Sequence, residues 1–215
     1  MSWKFLRVQT FVAAATLSIA MLLFAAQRHD SGAGPQYRLV VDLTGSRATA
    51  VDLNASHTTA LIAPAKFGGA WTLDSLPASR LIAPVAVIEA RKKNFPDSES
   101  LVTMDDVAAY ERTNGAVPQG AIVFLTSTNG NAAPRFNSDA LRFLGEARNM
   151  VAFGNTAEKA ISPEDGSYVA RKGIYQLANL ENLSLIPRSG GIAVAAPEKI
   201  AGAAEGPVRV MVLVR

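Results

Sequence analysis

Residues 121–126 read AIVFLT, a run in which every position except the last is apolar. A short run without polar alternation is typical of a strand that is covered on both faces, as in a sheet flanked by helices. Four further segments have the apolar and β-branched composition of strands. They are residues 37–43 (YRLVVDL), 81–90 (LIAPVAVIEA, interrupted by Pro84), 150–153 (MVAF) and 207–214 (PVRVMVLV).

Three helix starts fall between the later strands, each with a polar residue that can cap the first turn. One has the spacing of a capping box, and another has proline at the first helical position with acidic residues behind it. The predicted helices are residues 107–112 after Thr103 and Asp106, residues 139–148 after Asn137 or Ser138, and a helix from residues 162–165 to Gly173. Helices alternate with strands only in the second half, so we expect an α/β fold with a mixed sheet.

The composition is that of a folded chain, with 49% hydrophobic and 18% charged residues among 215. The net charge is only +3 and the basic residues are scattered, which argues against a nucleic-acid partner. The absence of cysteine excludes disulfides, thiolate catalysis and cysteine-ligated zinc. The sequence contains only two histidines, His29 and His57, which limits any imidazole-based site.

The N-terminal segment has the pattern of a membrane-targeting sequence, with Lys4 and Arg7 ahead of an apolar stretch at residues 11–26. We predict an apolar helix that acts as a cleaved signal peptide or as an uncleaved membrane anchor. Both predict an exported protein, in the periplasm, the cell envelope or the extracellular space. The predicted organisation is residues 1–27 as the signal or anchor, 28–36 as a linker, and 37–215 as a single domain.

Several segments, taken in order, resemble the metal-dependent cyclase family of kynurenine formamidase-like (arylformamidase) hydrolases. The resemblance rests on VDLT at residues 41–44, APAKF at 63–67, IAPVAVIEA at 82–90, GAIVFL at 120–125, GIYQLANL at 173–180, PEKI at 197–200 and GPVRV at 206–210. It implies a swivelling β/β/α domain that forms homo-oligomers. It also implies amide or lactam hydrolysis by a water bound to zinc or manganese.

The family signature reads HTGTHLDAPAHF, and its metal ligands are missing from this sequence. The resemblance places the former ligand positions on Ser56 (or His57 after a one-residue shift), Ala60, Ile62, Lys66 and Tyr175, with Asn155 at the Asp-Thr motif and Gln176 beside the pocket. Zinc and manganese need several imidazole or carboxylate donors that converge on one point. We therefore predict that this pocket holds no metal cofactor.

Three functions remain open from the sequence. The chain can be a non-catalytic binding or scaffold protein with a small-molecule ligand. It can be a hydrolase that uses Lys66 as nucleophile or base, or that borrows metal ligands from a neighbouring subunit. It can also be a non-catalytic subunit that partners an intact paralogue. For Lys66 itself, the simpler interpretation is a lysine that fills the vacated metal position and pairs with a nearby acid.

Overall fold

The computed structural model describes residues 37–45, 58–91, 100–128, 133–157 and 161–215. The strands are β1 Leu39–Asp42, β2 Ala60–Ile62, β3 Ile82–Ala90, β4 Leu101–Val102, β5 Ile122–Ser127, β6 Arg135–Phe136, β7 Ala152–Gly154, β8 Tyr175–Ala178, β9 Ser189–Pro197 and β10 Glu205–Val214. The α-helices are α1 Met104–Asn114, α2 Ser138–Ala147 and α3 Gly166–Lys172. Single 3-10 turns occupy Pro64–Phe67, Ala78–Arg80, Pro163–Asp165 and Leu183–Leu185.

The helix boundaries follow the capping residues in the sequence. The Asp106 carboxylate accepts a hydrogen bond of 2.9 Å from the Thr103 backbone N–H at the start of α1, as a capping box requires. The Asn137 side chain accepts from the Asp139 N–H at the start of α2. Gly173 ends α3 in the left-handed conformation, with a φ of +65°. The region that precedes α3 starts as a 3-10 turn at Pro163.

Eight of the described strands form a mixed sheet that closes on itself, and β4 and β6 form a separate two-stranded sheet. β3, β5, β7 and β8 are parallel neighbours in the order β3-β5-β7-β8, whereas all other pairs in the larger sheet are antiparallel. β10 closes the ring, because it pairs with β2 at one end of the strand order and with β9 at the other. β1 lies outside the ring and pairs with β10. The predicted mixed sheet is confirmed.

The two faces of the ring have separate hydrophobic cores. In β5, Ile122 and Phe124 belong to a cluster built from every strand of the ring, so this cluster fills the interior. Val123 and Leu125 belong to a second cluster that includes residues of all three α-helices. Because successive side chains of a strand point to opposite faces, the fully apolar sequence of β5 is explained by burial on both.

β2, β4, β6, β8 and β9 were not predicted as strands, and β3 differs from its prediction. β3 continues through Pro84, and the proline is accommodated by an irregularity in the pairing with β9 between Pro84 and Ala86. β9 was not predicted, because its sequence SGGIAVAAP is rich in glycine and alanine and lacks bulky β-formers.

The predicted N-terminal helix, the signal or anchor segment and the linker lie outside the described residues. None of the helices in the described ranges has the length and apolar character needed to cross a membrane.

Candidate functional site

A row of neighbouring side chains crosses β10, β2 and β8 on the outer face of the ring. Glu205 pairs with Ile62, and Ile62 pairs with Gln176. Gln176 pairs in turn with Phe153 of β7, which belongs to the cluster under the helices. Paired residues of adjacent strands place their side chains on the same face. Glu205, Ile62 and Gln176 therefore line the helix-covered face of the sheet.

The turn after β2 brings Lys66 to this row. Pro64 starts the 3-10 turn Pro64–Phe67, and Gly68 ends it in the left-handed region with a φ of +85°. The Gly68 N–H donates to the Ala65 carbonyl oxygen, which closes the turn. The Lys66 Nζ then lies 3.0 Å from the Glu205 Oε1. The two side chains are 49% and 52% exposed, so the ion pair lies at the surface end of the site.

A cavity of about 440 Å³ lies over the row, and we call it the Lys66 cavity. Its apolar lining residues are Ile62, Phe67, Ile161 and Pro163. Its polar lining residues are Lys66, Arg135, Ser162, Gln176 and Glu205. The volume falls within the range of roughly 300–1,000 Å³ that is usual for small-molecule sites. Apolar walls with a few polar groups at one end suit a small organic molecule.

The wall at Ser162 and Pro163 is held by the buried carboxylate of Asp165. Its Oδ2 accepts hydrogen bonds from the hydroxyls of Ser138, at 2.7 Å, and Ser162, at 3.1 Å. The guanidinium of Arg142 lies 3.8 Å from the other oxygen. Asp165 thus ties this wall to the start of α2, and its hydrogen bonds offset the cost of burying the carboxylate.

The structure brings together three of the predicted site residues, Ile62, Lys66 and Gln176, which all line the Lys66 cavity. Ala60 lies on the same face of β2 as Ile62, opposite Ala178 of β8. Ser56 and His57 lie outside the described residues.

Tyr175 is a correction to the predicted pocket. It precedes Gln176 in β8, so its side chain points to the opposite face of the sheet and packs in the interior cluster. Its hydroxyl donates to the Arg80 carbonyl oxygen at 2.9 Å. Burial raises the pKa of the Tyr175 hydroxyl well above its ordinary value, against the opposing charge of Arg80. Tyr175 is therefore a core residue and not a ligand-binding group.

Asn155 is also absent from the lining of the Lys66 cavity. It is fully buried just after β7. Its amide nitrogen donates to the Pro134 carbonyl oxygen at 2.7 Å, and its amide oxygen accepts from the Ala157 N–H at 3.1 Å. Asn155 holds two backbone segments together at this end of the sheet.

The described residues of the site do not fit a divalent metal. Ala60, Ala178 and Ile62 carry no donor atom, and the Lys66 ammonium would repel a cation. Gln176 offers a single neutral amide, and the Glu205 carboxylate is paired with Lys66. Across the described ranges, no group of three His, Cys, Asp or Glu side chains lies close enough to hold a metal ion.

Sequence reasoning missed Glu205, Arg135 and Ile161 as lining residues. Glu205 lies 139 residues from Lys66 in the sequence, and only the pairing of β10 with β2 brings them together. The sequence predicts that Lys66 pairs with a nearby acid, but nothing in it identifies Glu205 as that acid.

A family model described as "Putative cyclase" matches residues 10–157 of the sequence. The chain belongs to the cyclase family. The predicted family resemblance is thus confirmed, and the mixed sheet and its helices agree with cyclase structures.

A protein named isatin hydrolase, from Roseibium aggregatum, is 28% identical over 166 residues, which cover 66% of this chain and 63% of the relative. The chain therefore spans less than two thirds of the length of that relative.

Two solved structures share the fold. Isatin hydrolase A from Labrenzia aggregata, bound to benzyl benzoate, has a TM-score of 0.69 at 22% identity, over 82% of this chain and 93% of that one. Isatin hydrolase A from Ralstonia solanacearum has a TM-score of 0.66 at 23% identity, over 82% and 92%. At these identities the likeness shows the fold alone.

Proposed function

We propose that this cyclase-family protein is a non-catalytic binding protein that holds a small organic molecule in the Lys66 cavity. The observation that carries the proposal is the ion pair between Lys66 and Glu205. Lys66 occupies the position of the last histidine in the family signature, where a metal enzyme needs a neutral donor. A surface ion pair of this kind does not activate a water molecule for attack, as a bound metal does.

The buried face beside the ion pair supports the same proposal. Ile62, at the aspartate position of the signature, is 8% exposed and packs at the floor of the cavity. A buried aliphatic side chain strengthens apolar contact with a ligand, at roughly 25 cal/mol per Å² of apolar area removed from water. The site is therefore better suited to hold an organic molecule than to ionise water.

A lysine nucleophile is disfavoured by the surroundings of Lys66. Amine catalysis by lysine needs an ammonium that is destabilised by desolvation or by a second cation. The Lys66 side chain is 49% exposed and forms an ion pair with the Glu205 carboxylate, so neither of these conditions is met by its described neighbours. We therefore place Lys66 in ligand binding and not in covalent chemistry.

The second candidate is a hydrolase of the isatin hydrolase type, in which ligands from outside the described residues complete a metal site. It is favoured by the 28% identity to the Roseibium aggregatum isatin hydrolase. A related possibility is a non-catalytic subunit that forms a complex with an intact paralogue or with further copies of this chain. The hydrolase differs from the first candidate in metal content and turnover, and a pull-down that retrieves an intact paralogue would favour the subunit.

The decisive experiment combines metal analysis with assays on the full-length purified protein. Zinc and manganese are measured by mass spectrometry, and hydrolysis of isatin and N-formylkynurenine is followed by absorbance with each metal added. We expect less than stoichiometric metal and no turnover. Stoichiometric metal together with turnover would overturn the proposal in favour of the hydrolase.

Binding is measured separately by calorimetry with isatin and with its ring-opened acid, isatinate, as probes. We expect saturable binding of at least one probe without turnover. Lys66→Met should weaken isatinate binding about 10-fold or more, because a charge-assisted hydrogen bond contributes about 1.5–3 kcal/mol. Lys172→Met, an exposed lysine at the end of α3, is the matched control and should leave binding unchanged. Lack of saturable binding for both probes contradicts the binding role.

A gain-of-function variant tests the location of the site. Ala60→His, Ile62→Asp and Lys66→His together restore three ligands of the family signature. Three protein ligands suffice for a catalytic zinc site. We expect the triple variant to retain zinc through gel filtration, whereas the unmodified protein does not. Equal zinc content in the two proteins would show that these positions do not converge.

We further propose that the protein acts outside the cytoplasm, with residues 11–26 as a signal or an anchor. The proposal rests on the basic residues ahead of this apolar stretch. Cell fractionation and intact-mass measurement of the mature protein test it. Cleavage near residue 27 supports the signal peptide, membrane retention at full length supports the anchor, and a full-length cytosolic protein contradicts both.

A further inference from the structure

A second cavity, of about 750 Å³, opens where the parallel strands β3, β5 and β7 end, and we call it the strand-end cavity. Glu89, Thr126 and Ser127 lie at the ends of β3 and β5 on one side of it. The segment from Asn182 to Arg188 forms another side. The described lining residues of the two cavities do not overlap. The carboxyl ends of parallel strands are where α/β proteins commonly bind ligands.

Among the lining residues that the structure describes, the charged groups of the strand-end cavity cancel each other. They are Glu89 and Arg188, which form an ion pair through the Arg188 Nη2 and the Glu89 Oε2. The Arg188 backbone is fixed, because its carbonyl oxygen accepts from the Val87 N–H at 2.9 Å and from the Tyr110 hydroxyl at 3.1 Å. A ligand with a net charge would have to separate this pair or leave its own charge without a partner.

Several hydroxyl groups of the lining are available to a ligand. The side chains of Thr126, Thr156 and Ser184 make no hydrogen bond within the described part of the chain. Each hydroxyl can donate one hydrogen bond and accept two. Beside them, Leu183 and Ile186 supply apolar surface. The cavity thus combines uncharged donor–acceptor groups with apolar patches.

We propose that the strand-end cavity binds a neutral, polyhydroxylated compound, such as a sugar or a cyclic polyol. The hydroxyls of this class match groups that both donate and accept, and its C–H faces match Leu183 and Ile186. The Glu89–Arg188 pair remains intact and offers further hydrogen bonds from its outer atoms. The size of the cavity lies within the range of roughly 300–1,000 Å³ that is usual for small-molecule sites.

The test uses the full-length protein with glucose, trehalose and myo-inositol as neutral probes, and gluconate and glucosamine as charged ones. Binding is measured by ligand-observed NMR and calorimetry. We expect saturable binding of at least one neutral probe, and weaker binding of both charged probes. Failure of all three neutral probes, or tighter binding of a charged probe, overturns the proposal.

Two variants locate the binding. Thr126→Val and Ser184→Ala each remove one hydroxyl and should weaken binding about 2- to 12-fold, which corresponds to one neutral hydrogen bond of about 0.5–1.5 kcal/mol. Lys66→Met, in the other cavity, should leave sugar binding unchanged. Thr126 is partly buried, so the thermal transition of its variant is recorded, whereas Ser184 is exposed and its variant keeps the test independent of folding. Binding that both variants retain in full contradicts this location.

Discussion

At the scale of single residues, the alternation of side chains in β8 separates core from site. Gln176 lines the Lys66 cavity, and its neighbour Tyr175 packs in the interior of the ring. The family resemblance places Tyr175 at a ligand position. Because neighbouring residues of a strand point to opposite faces of the sheet, the structure places Gln176 at the cavity and Tyr175 in the core. The Tyr175 hydroxyl stabilises the fold, because it donates a hydrogen bond to the backbone carbonyl oxygen of Arg80.

Removing the hydroxyl of Tyr175 should destabilise the protein. Tyr175→Phe keeps the ring but removes the partly buried hydrogen bond that the Arg80 carbonyl oxygen accepts. The expected loss is about 0.5–1.5 kcal/mol of unfolding free energy, which is the net contribution of one hydrogen bond. Urea denaturation at pH 7 measures it. A change below a few tenths of a kcal/mol would contradict a structural role for this bond.

The same variant should also change the alkaline stability. The pKa of Tyr175 is raised by burial, so the folded chain keeps the phenolic proton where the unfolded chain loses it, above about pH 10. Stability therefore falls as the pH rises past that point. Tyr175→Phe should reduce this fall by up to about 1.4 kcal/mol per pH unit. Burial also raises the pKa values of Tyr110 and Tyr168, so both proteins should still lose some stability as the pH rises. Equal slopes between pH 9 and 11 would contradict the assignment.

At the scale of elements, Gly173 connects the end of α3 to β8 under the ring of Trp71. Its φ of +65° belongs to the left-handed region, and an added Cβ would lie 2.5 Å from the Trp71 Cζ3. Gly202 has a similar φ of +70° but open space around it. A comparison of alanine substitutions at Gly173 and Gly202 therefore separates the cost of backbone strain from the cost of a steric clash.

We expect Gly202→Ala to cost about 1–2 kcal/mol, which is the strain of a left-handed alanine. Gly173→Ala should cost about 1–3 kcal/mol more, because the indole has to move. Thermal and urea unfolding of both variants measure the difference. Equal losses of unfolding free energy in the two variants would show that the Trp71 ring moves aside at no cost in stability.

The elements also show how far the sequence predicts the fold. The apolar run of β5, the capping box of α1 and the glycine stop of α3 each depend on local chemistry, and each was predicted. β9 and β2 depend on their neighbours instead. Nothing in SGGIAVAAP is a strong strand former, and only the flanking β3 and β10 make it a strand. The candidate site has the same limit. Lys66 was singled out from the sequence, whereas Glu205 enters through long-range pairing.

At the scale of the whole molecule, the closed ring and the strand outside it should differ in local stability. β5 lies between β3 and β7 and is buried on both faces, so its amides should exchange only through global unfolding. β1 pairs with β10 alone among the described strands, and its Leu39 and Val40 are about half exposed. It can detach without opening the ring.

Native-state hydrogen exchange with mass spectrometry tests this difference. We expect β1 amides to exchange with a lower opening free energy than β5 amides, by several kcal/mol. Equal protection of the two strands would show that β1 is secured by further contacts.

The closure of the ring by β10 has a consequence for synthesis on the ribosome. β10 is the last of the described strands to emerge, yet β1, β2 and β9 all depend on it for hydrogen bonds. Until then, the nascent chain carries strand edges with unpaired backbone groups, which are prone to wrong pairing. The growing polypeptide is therefore exposed to wrong pairing from the synthesis of β1 until β10 emerges.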